Sequence, residues 1–259
     1  MATLRLTADG PVGDLVLDRP DKLNALSREM LSELVEAAAW FDAQDGVKVV
    51  VVRGEGRAFS AGADITAFGE AGDAPDGDEA ARRHALDLGR RMADAIAGMR
   101  ALTVAAIHGH CVGGAVVLAA ACDLRVASEG TRFSIPEVDL GIPLAWSGIP
   151  RLVRELGPAL TKELVLTCRA FDAREAHAIR FLNHVVPADE LDAAVRRLAD
   201  KLAAQPAYAL QVTKQHVNAV AEEAGSTARA SSEAESLLGA LRDRESLEAM
   251  ARYLADRRR

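Results

Sequence analysis

The sequence predicts an α/β protein. Three observations lead there: a valine run too apolar for a strand with one wet face, short β-branched segments alternating with helix-periodic ones, and a carboxy-terminal stretch that is helical almost throughout. Taken in order, residues 3–18 hold two short strands, Leu4-Arg5-Leu6 and Leu15-Val16-Leu17, turning at Asp9-Gly10-Pro11. Ser27 then acts as N-cap to a helix whose apolar side is Met30, Leu31, Leu34, Val35 and Ala38. Val47 to Val52 has five valines and one lysine in six residues, which suits a strand covered on both faces. Between Ala67 and Ala81 there are five acidic residues, three glycines and no basic residue, the composition of a mobile surface loop. A strand over Thr103 to Ile107 leads through His108-Gly109-His110-Cys111-Val112-Gly113-Gly114 into a helix over Ala115 to Ala121. Asp123 to Val126 is the next strand. From about Ala188 the chain is rich in Ala, Leu, Glu and Arg at helical spacing.

Composition removes several function classes. The chain has 259 residues, 49% hydrophobic and 27% charged, which is globular and long enough to bury a sizeable core. Lys plus Arg is 31 against 38 Asp plus Glu, a net charge of -7 that argues against nucleic-acid binding by bulk charge. Aromatic residues are 4%, so stacking platforms are scarce. The longest central apolar run, Ala115 to Cys122, is far too short to cross a bilayer, so no membrane partner is expected. Residues 1–10 carry Arg5 and Asp9 and no signal-peptide core. Three cysteines without CxxC spacing fit a reducing compartment, and the expected location is cytoplasmic.

Common motifs are missing. Gly109 to Gly114 lacks G-x-G-x-x-G spacing, and neither G-K-[ST] nor G-x-S-x-G occurs. His108 and His110 have strand-like spacing but no local carboxylate, so they read as a turn pair and no metal is expected. Two other segments are more informative. Phe59 to Ile65 follows the valine strand, and Gly113-Gly114 follows the next strand and opens a helix. Each sets small residues beyond a strand end, where backbone N–H groups can meet a ligand; two such amides on one oxygen make an oxyanion hole. Glycines at those places also serve plain tight turns.

The combination resembles the enoyl-CoA hydratase/isomerase (crotonase) superfamily. The resemblance starts at Leu15-Val16-Leu17-Asp18-Arg19-Pro20-Asp21-Lys22-Leu23-Asn24-Ala25-Leu26 and passes through Ala58-Phe59-Ser60-Ala61-Gly62-Ala63-Asp64. It continues from Ala106 through Gly113-Gly114 to Asp123, then Phe133-Ser134-Ile135-Pro136-Glu137-Val138-Asp139-Leu140-Gly141, and ends over Glu248 to Arg257. It implies a crotonase-like spiral of ββα units over 1–187 and a helical region over 188–259 that serves oligomerisation, as a homotrimer or a dimer of trimers. The tail positions Leu237, Leu238, Leu241, Leu247 and Met250 offer apolar surface for that. The substrate implied is an acyl-CoA thioester, with no cofactor beyond its CoA moiety.

The resemblance also assigns residues. The amides of Ala63 and Gly114 would hold the thioester oxygen as an enolate forms. Lys22, Asn24, Ala25 and Leu26, with Ala61, Gly62, Asp64 and Ile65, fall where the family contacts CoA, and Arg257 or Arg258 could add a cation from a neighbouring subunit. Hydratases of the family use two glutamates. One matches Glu137; the other falls on Val117, where this chain has no carboxylate. A single glutamate suits shifting a double bond better than adding water, so isomerisation with Glu137 as acid/base is the expected reaction. Hydration on one carboxylate and a non-catalytic acyl-CoA binder are the alternatives. The usual Pro-Gly-x-Gly-Gly segment is also replaced, by Leu144-Ala145-Trp146-Ser147-Gly148. Trp146 either walls the acyl pocket or fills the core, and Asp139 is read as solvated.

Overall fold

The computed structural model describes residues 1–64, 79–228 and 233–256, with backbone alone for 79–82. Strands β1 (Leu4–Asp9) and β2 (Val12–Leu17) form an antiparallel pair around Gly10, which takes φ +75°. Then come β3 (Val49–Gly54), β4 (Leu102–Ile107), β6 (Leu124–Ser128) and β9 (His184–Val186), which continue the sheet in parallel in the order β1-β2-β3-β4-β6-β9. A second, three-stranded sheet joins β5 (His110–Val112), β7 (Arg132–Ser134) and β8 (Phe171–Asp172).

The valine strand is covered on both faces. Val50 and Val52 belong to a core that includes Leu34 of α1 (Arg28–Asp42), Ile96 of α2 (Glu79–Gly98) and Leu118 of α3 (Gly114–Ala121). Val49 and Val51 belong to another core with Leu191, Val195 and Ala199 of α7 (Leu191–Ala203). Each fully buried valine contributes about 2 kcal/mol by burial. The first helix of the carboxy-terminal stretch therefore closes one side of the main sheet. Between these lie α4 (Gly148–Leu156), α5 (Pro158–Thr167) and α6 (Ala173–Ala178); α8 (Ala207–Ala224), α9 (Glu233–Ala240) and α10 (Arg244–Asp256) follow.

Several boundaries differ from expectation, each for a local reason. The strand expected over Val47 to Val52 starts two residues later. Val47 N–H closes a turn onto Gln44 O, and Lys48 Nζ donates to Ala203 O and Gln205 O at the end of α7. The strand expected from Asp123 starts at Leu124, because the Asp123 carboxylate turns back to accept from Thr103 N at 2.7 Å and Lys214 Nζ at 2.8 Å. The acidic loop expected to Ala81 gives way to helix at Glu79; the rest of it, with Ile65, lies outside the described residues, as do Arg257 and Arg258. Ser27 caps α1 as expected, its Oγ accepting from Met30 N at 3.2 Å. Leu237 and Leu238 are already buried within the chain, while Leu247 is exposed. No helix among the described residues is long and apolar enough to cross a membrane.

Candidate active site

Strand pairing brings the two small-residue segments together. Ser60 bridges to Cys111 in parallel, with Ser60 N donating to His110 O and Val112 N to Ser60 O. Three residues further along each segment come Ala63 and Gly114. At Gly62 the backbone turns with φ +88°, and a Cβ there would overlap Val112 O and lie 3.5 Å from Gly114 N. Gly113 sits at φ 53°, ψ -118°, a conformation open to glycine alone, with its N–H donated to Ser134 O. Neither Ala63 N–H nor Gly114 N–H has an acceptor among the described residues. Two free donors thus stand side by side, one of them at the amino end of α3, where the helix dipole favours negative charge. Buried Arg125 secures the other end of α3: its Nη1 donates to Cys122 O at 2.9 Å and Ala119 O, its Nη2 to Glu155 Oε2 at 2.7 Å.

A second loop is fastened against these amides. Leu26 N donates to Gly62 O and Ala61 N to Leu23 O, while Arg19 Nη1 reaches both Ala25 O and Asp64 Oδ2. Ser60 Oγ donates to Asn24 O and accepts from Gly62 N. The Asn24 side chain is wholly enclosed, its Nδ2 donating to Glu55 O and Ala58 O and its Oδ1 accepting from Arg19 N.

The free amides open on an apolar cavity of about 90 Å³. Ala63, Gly114 and Glu137 line it together with Val117, Leu144 and Trp146. An adjoining cavity of about 250 Å³ shares Ala63, Asp64 and Glu137 and extends to Lys22, Ala25, Ala61 and Gly62. Glu137 lies where the two meet. It is 9% exposed, its Oε2 has no hydrogen-bond partner, and a Cβ on Gly113 would come within 2.5 Å of its Oε1. Burial pushes its pKa up to about 7, with its own backbone N–H opposing the rise. A carboxyl so tuned can take and return a proton near neutral pH. Asp64, the other carboxylate lining both cavities, is held by Arg19 at 2.9 Å. Val117 is fully buried, and a Cβ on Gly148 would press at 2.9 Å on both it and Leu144.

The enoyl-CoA hydratase/isomerase family model matches residues 7–258. The chain belongs to that family. A probable enoyl-CoA hydratase of Mycobacterium tuberculosis is 33% identical over 83% of this chain and 81% of its own length. The crotonyl-CoA hydratase of Syntrophomonas wolfei is 33% identical over 79% and 76%. Among solved structures, an enoyl-CoA hydratase/isomerase from Xanthobacter autotrophicus superposes with TM-score 0.84 at 33% identity, over 92% of this chain and 87% of that one. An enoyl-CoA hydratase from Mycobacterium avium subsp. paratuberculosis gives TM-score 0.85 at 27% identity, over 97% and 98%. The fold is accordingly crotonase-like, with a helical carboxy-terminal region.

For this enoyl-CoA hydratase/isomerase family member, most residues singled out in the sequence line one or both cavities. Glu137, Ala63, Gly114, Leu26 and Asp64 converge on the apolar cavity; Lys22, Ala25, Ala61 and Gly62 line the adjoining one. Asn24 reaches neither with its side chain, since it fastens the loop instead. Asp139 is exposed, its N–H donating to Cys168 Sγ at 3.3 Å. Among the described residues no group of three metal-ligating side chains occurs, and His108 Nε2 lies 2.9 Å from Gly56 O. Sequence reasoning missed Arg19 and Ser60 as the fasteners of the site. Their signal was present only as membership of the two quoted motifs.

Proposed function

We propose that this enzyme moves a double bond within an enoyl-CoA thioester, with Glu137 as the single acid/base group. The supporting observation is that Val117, where the resemblance puts the hydratases' second glutamate, is a buried apolar residue of the cavity wall, while Asp64 is held by Arg19; among the described residues that line the cavity, Glu137 is then the carboxylate left to act on substrate. The amides of Ala63 and Gly114 accept the thioester oxygen. Glu137 removes a proton from the carbon next to the carbonyl, and the electron pair passes through the carbonyl and the double bond as a dienolate. Protonated Glu137 then returns the proton two carbons further along, giving the conjugated 2-enoyl isomer. Each amide donor contributes about 3 kcal/mol to holding the developing oxyanion. The CoA moiety runs through the adjoining cavity, with Lys22 near its phosphates, and the reaction needs no other cofactor. Assembly as a trimer or a pair of trimers belongs to the same proposal. It is supported by Tyr208, Val217 and Val220, exposed on α8, and light scattering that reports a clean monomer would remove it.

Hydration is the second reading, favoured by the names of the two relatives given above, a probable enoyl-CoA hydratase and a crotonyl-CoA hydratase. Mass spectrometry of the protein with a 3-enoyl-CoA in deuterated water separates the two. A 2-enoyl product supports isomerisation, and its deuterium content reads how far Glu137 exchanges with solvent between the two proton transfers. A hydrated product formed from a 2-enoyl-CoA at comparable rate favours the second reading, and unchanged 3-enoyl-CoA without deuterium uptake contradicts isomerisation for that acyl group.

A further inference from the structure

We infer that Trp146 restricts this site to short acyl groups, and that Glu233 is the positioning residue that holds Trp146 in place. This rests on the acyl-CoA reading above and names its substrate class. The indole lies between two helix backbones: a Cβ on Gly89 of α2 or on Gly114 of α3 would overlap its ring. Gly89 is inside a 20-residue helix, where glycine is disfavoured, and Trp146 supplies the three atoms nearest to that position. The chain has thus opened a slot for this ring against the same Gly114 that offers its N–H to the thioester oxygen. The cavity left beside the ring is about 90 Å³, smaller than the ~150 Å³ apolar cavity that admits a benzene. A tail of a few carbons fits there, and the indole is the largest side chain in the wall that a longer one meets.

Displacement of the indole is resisted. Trp146 and Ser147 both take left-handed backbone, φ +62° and +56°, which non-glycine residues keep only when their surroundings enforce it. The enforcing contact is Ser147 N–H donating to Glu233 Oε2 at 2.7 Å, and Ser147 is fully buried. Glu233 comes from α9, whose Leu237 also lines the cavity, so one helix supplies both part of the wall and the tie on the tryptophan.

The test is calorimetric binding of butanoyl-, octanoyl- and dodecanoyl-CoA, saturated thioesters that cannot isomerise or be hydrated. The wild-type protein should prefer butanoyl- over dodecanoyl-CoA by about tenfold or more, Trp146→Ala should reverse that order, and Trp146→Phe should fall between. Glu233→Ala should raise dodecanoyl-CoA affinity several-fold. In a Trp40→Phe background, which leaves Trp146 as the sole tryptophan, it should also red-shift the fluorescence. Glu233→Gln, which keeps an acceptor oxygen, should restore both readouts. Equal binding of all chain lengths by wild type, or an unchanged order in both Trp146 variants, overturns the inference. Binding of no acyl-CoA overturns it together with the functional reading. Length-selective binding without any isomerisation leaves this inference standing and sinks only the reaction.

Discussion

One side of the cavity is built from backbone, the other from side chains. On the first, Ala63 and Gly114 present free amides, set by strand bridges and positive-φ glycines. On the second, Val117, Leu144 and Trp146 close the space with apolar surface and no proton-transfer group. Glu137 lies between them. In the proposed reaction the backbone side sets what class of intermediate is stabilised, and the side-chain side sets which acyl groups reach it and whether water has a second carboxylate to orient it.

The largest effect should come from removing the group between the two sides. Glu137→Gln is expected to lower turnover by about a thousandfold with acyl-CoA affinity nearly unchanged, by steady-state kinetics and calorimetry. A non-catalytic binder would have no turnover to lose. The same variant has a stability signature. The folded-state pKa, about 7, lies above the ordinary 4.5, so the wild-type protein loses stability as pH rises through that window. Glu137→Gln lacks that loss, so its Tm advantage should be full above pH 7 and vanish near pH 4.

Breaking the backbone side is next. Gly113→Ala places a Cβ against the Glu137 carboxylate in a conformation that L-residues avoid, and should cost about 2 kcal/mol of stability and about a hundredfold in turnover. On the side-chain side, Val117→Glu tests whether a second carboxylate alone creates a hydratase. The new group would enter a fully buried position packed by Leu144 and Gly148, so we expect about 2 kcal/mol of destabilisation in denaturant melts and little hydration. Appearance of rapid hydration would show that the apolar side is more permissive than its packing indicates. The smallest effect, about 1 kcal/mol with turnover unchanged, should come from Ser27→Ala, which removes the side-chain cap of α1 and changes no residue that lines either cavity.

The same contrast separates what could be read in the sequence from what could not. Valines 49–52, the Ser27 cap and the glycines at 62, 113 and 114 act through local chemistry, and their pattern is visible in one dimension. The three-residue strand His110–Val112 was hidden in a segment read as a turn, since so short a run carries no periodicity. Asn24 was expected at the ligand because its motif lies there, but its side-chain partners are Arg19, Glu55 and Ala58, the last two more than 30 residues away. The slot for Trp146 needs Gly89, Gly114 and Glu233 from three helices, a juxtaposition that only folding creates.

The central claim, one buried carboxylate acting as both acid and base, is tested most directly by the pH dependence of kcat/KM for 3-enoyl-CoA isomerisation. The account predicts that the rate rises with pH through an acid limb centred near 7, where the Glu137 carboxyl ionises, and that Glu137→Gln abolishes the limb. A limb near 4.5, or one that persists in the variant, would contradict it.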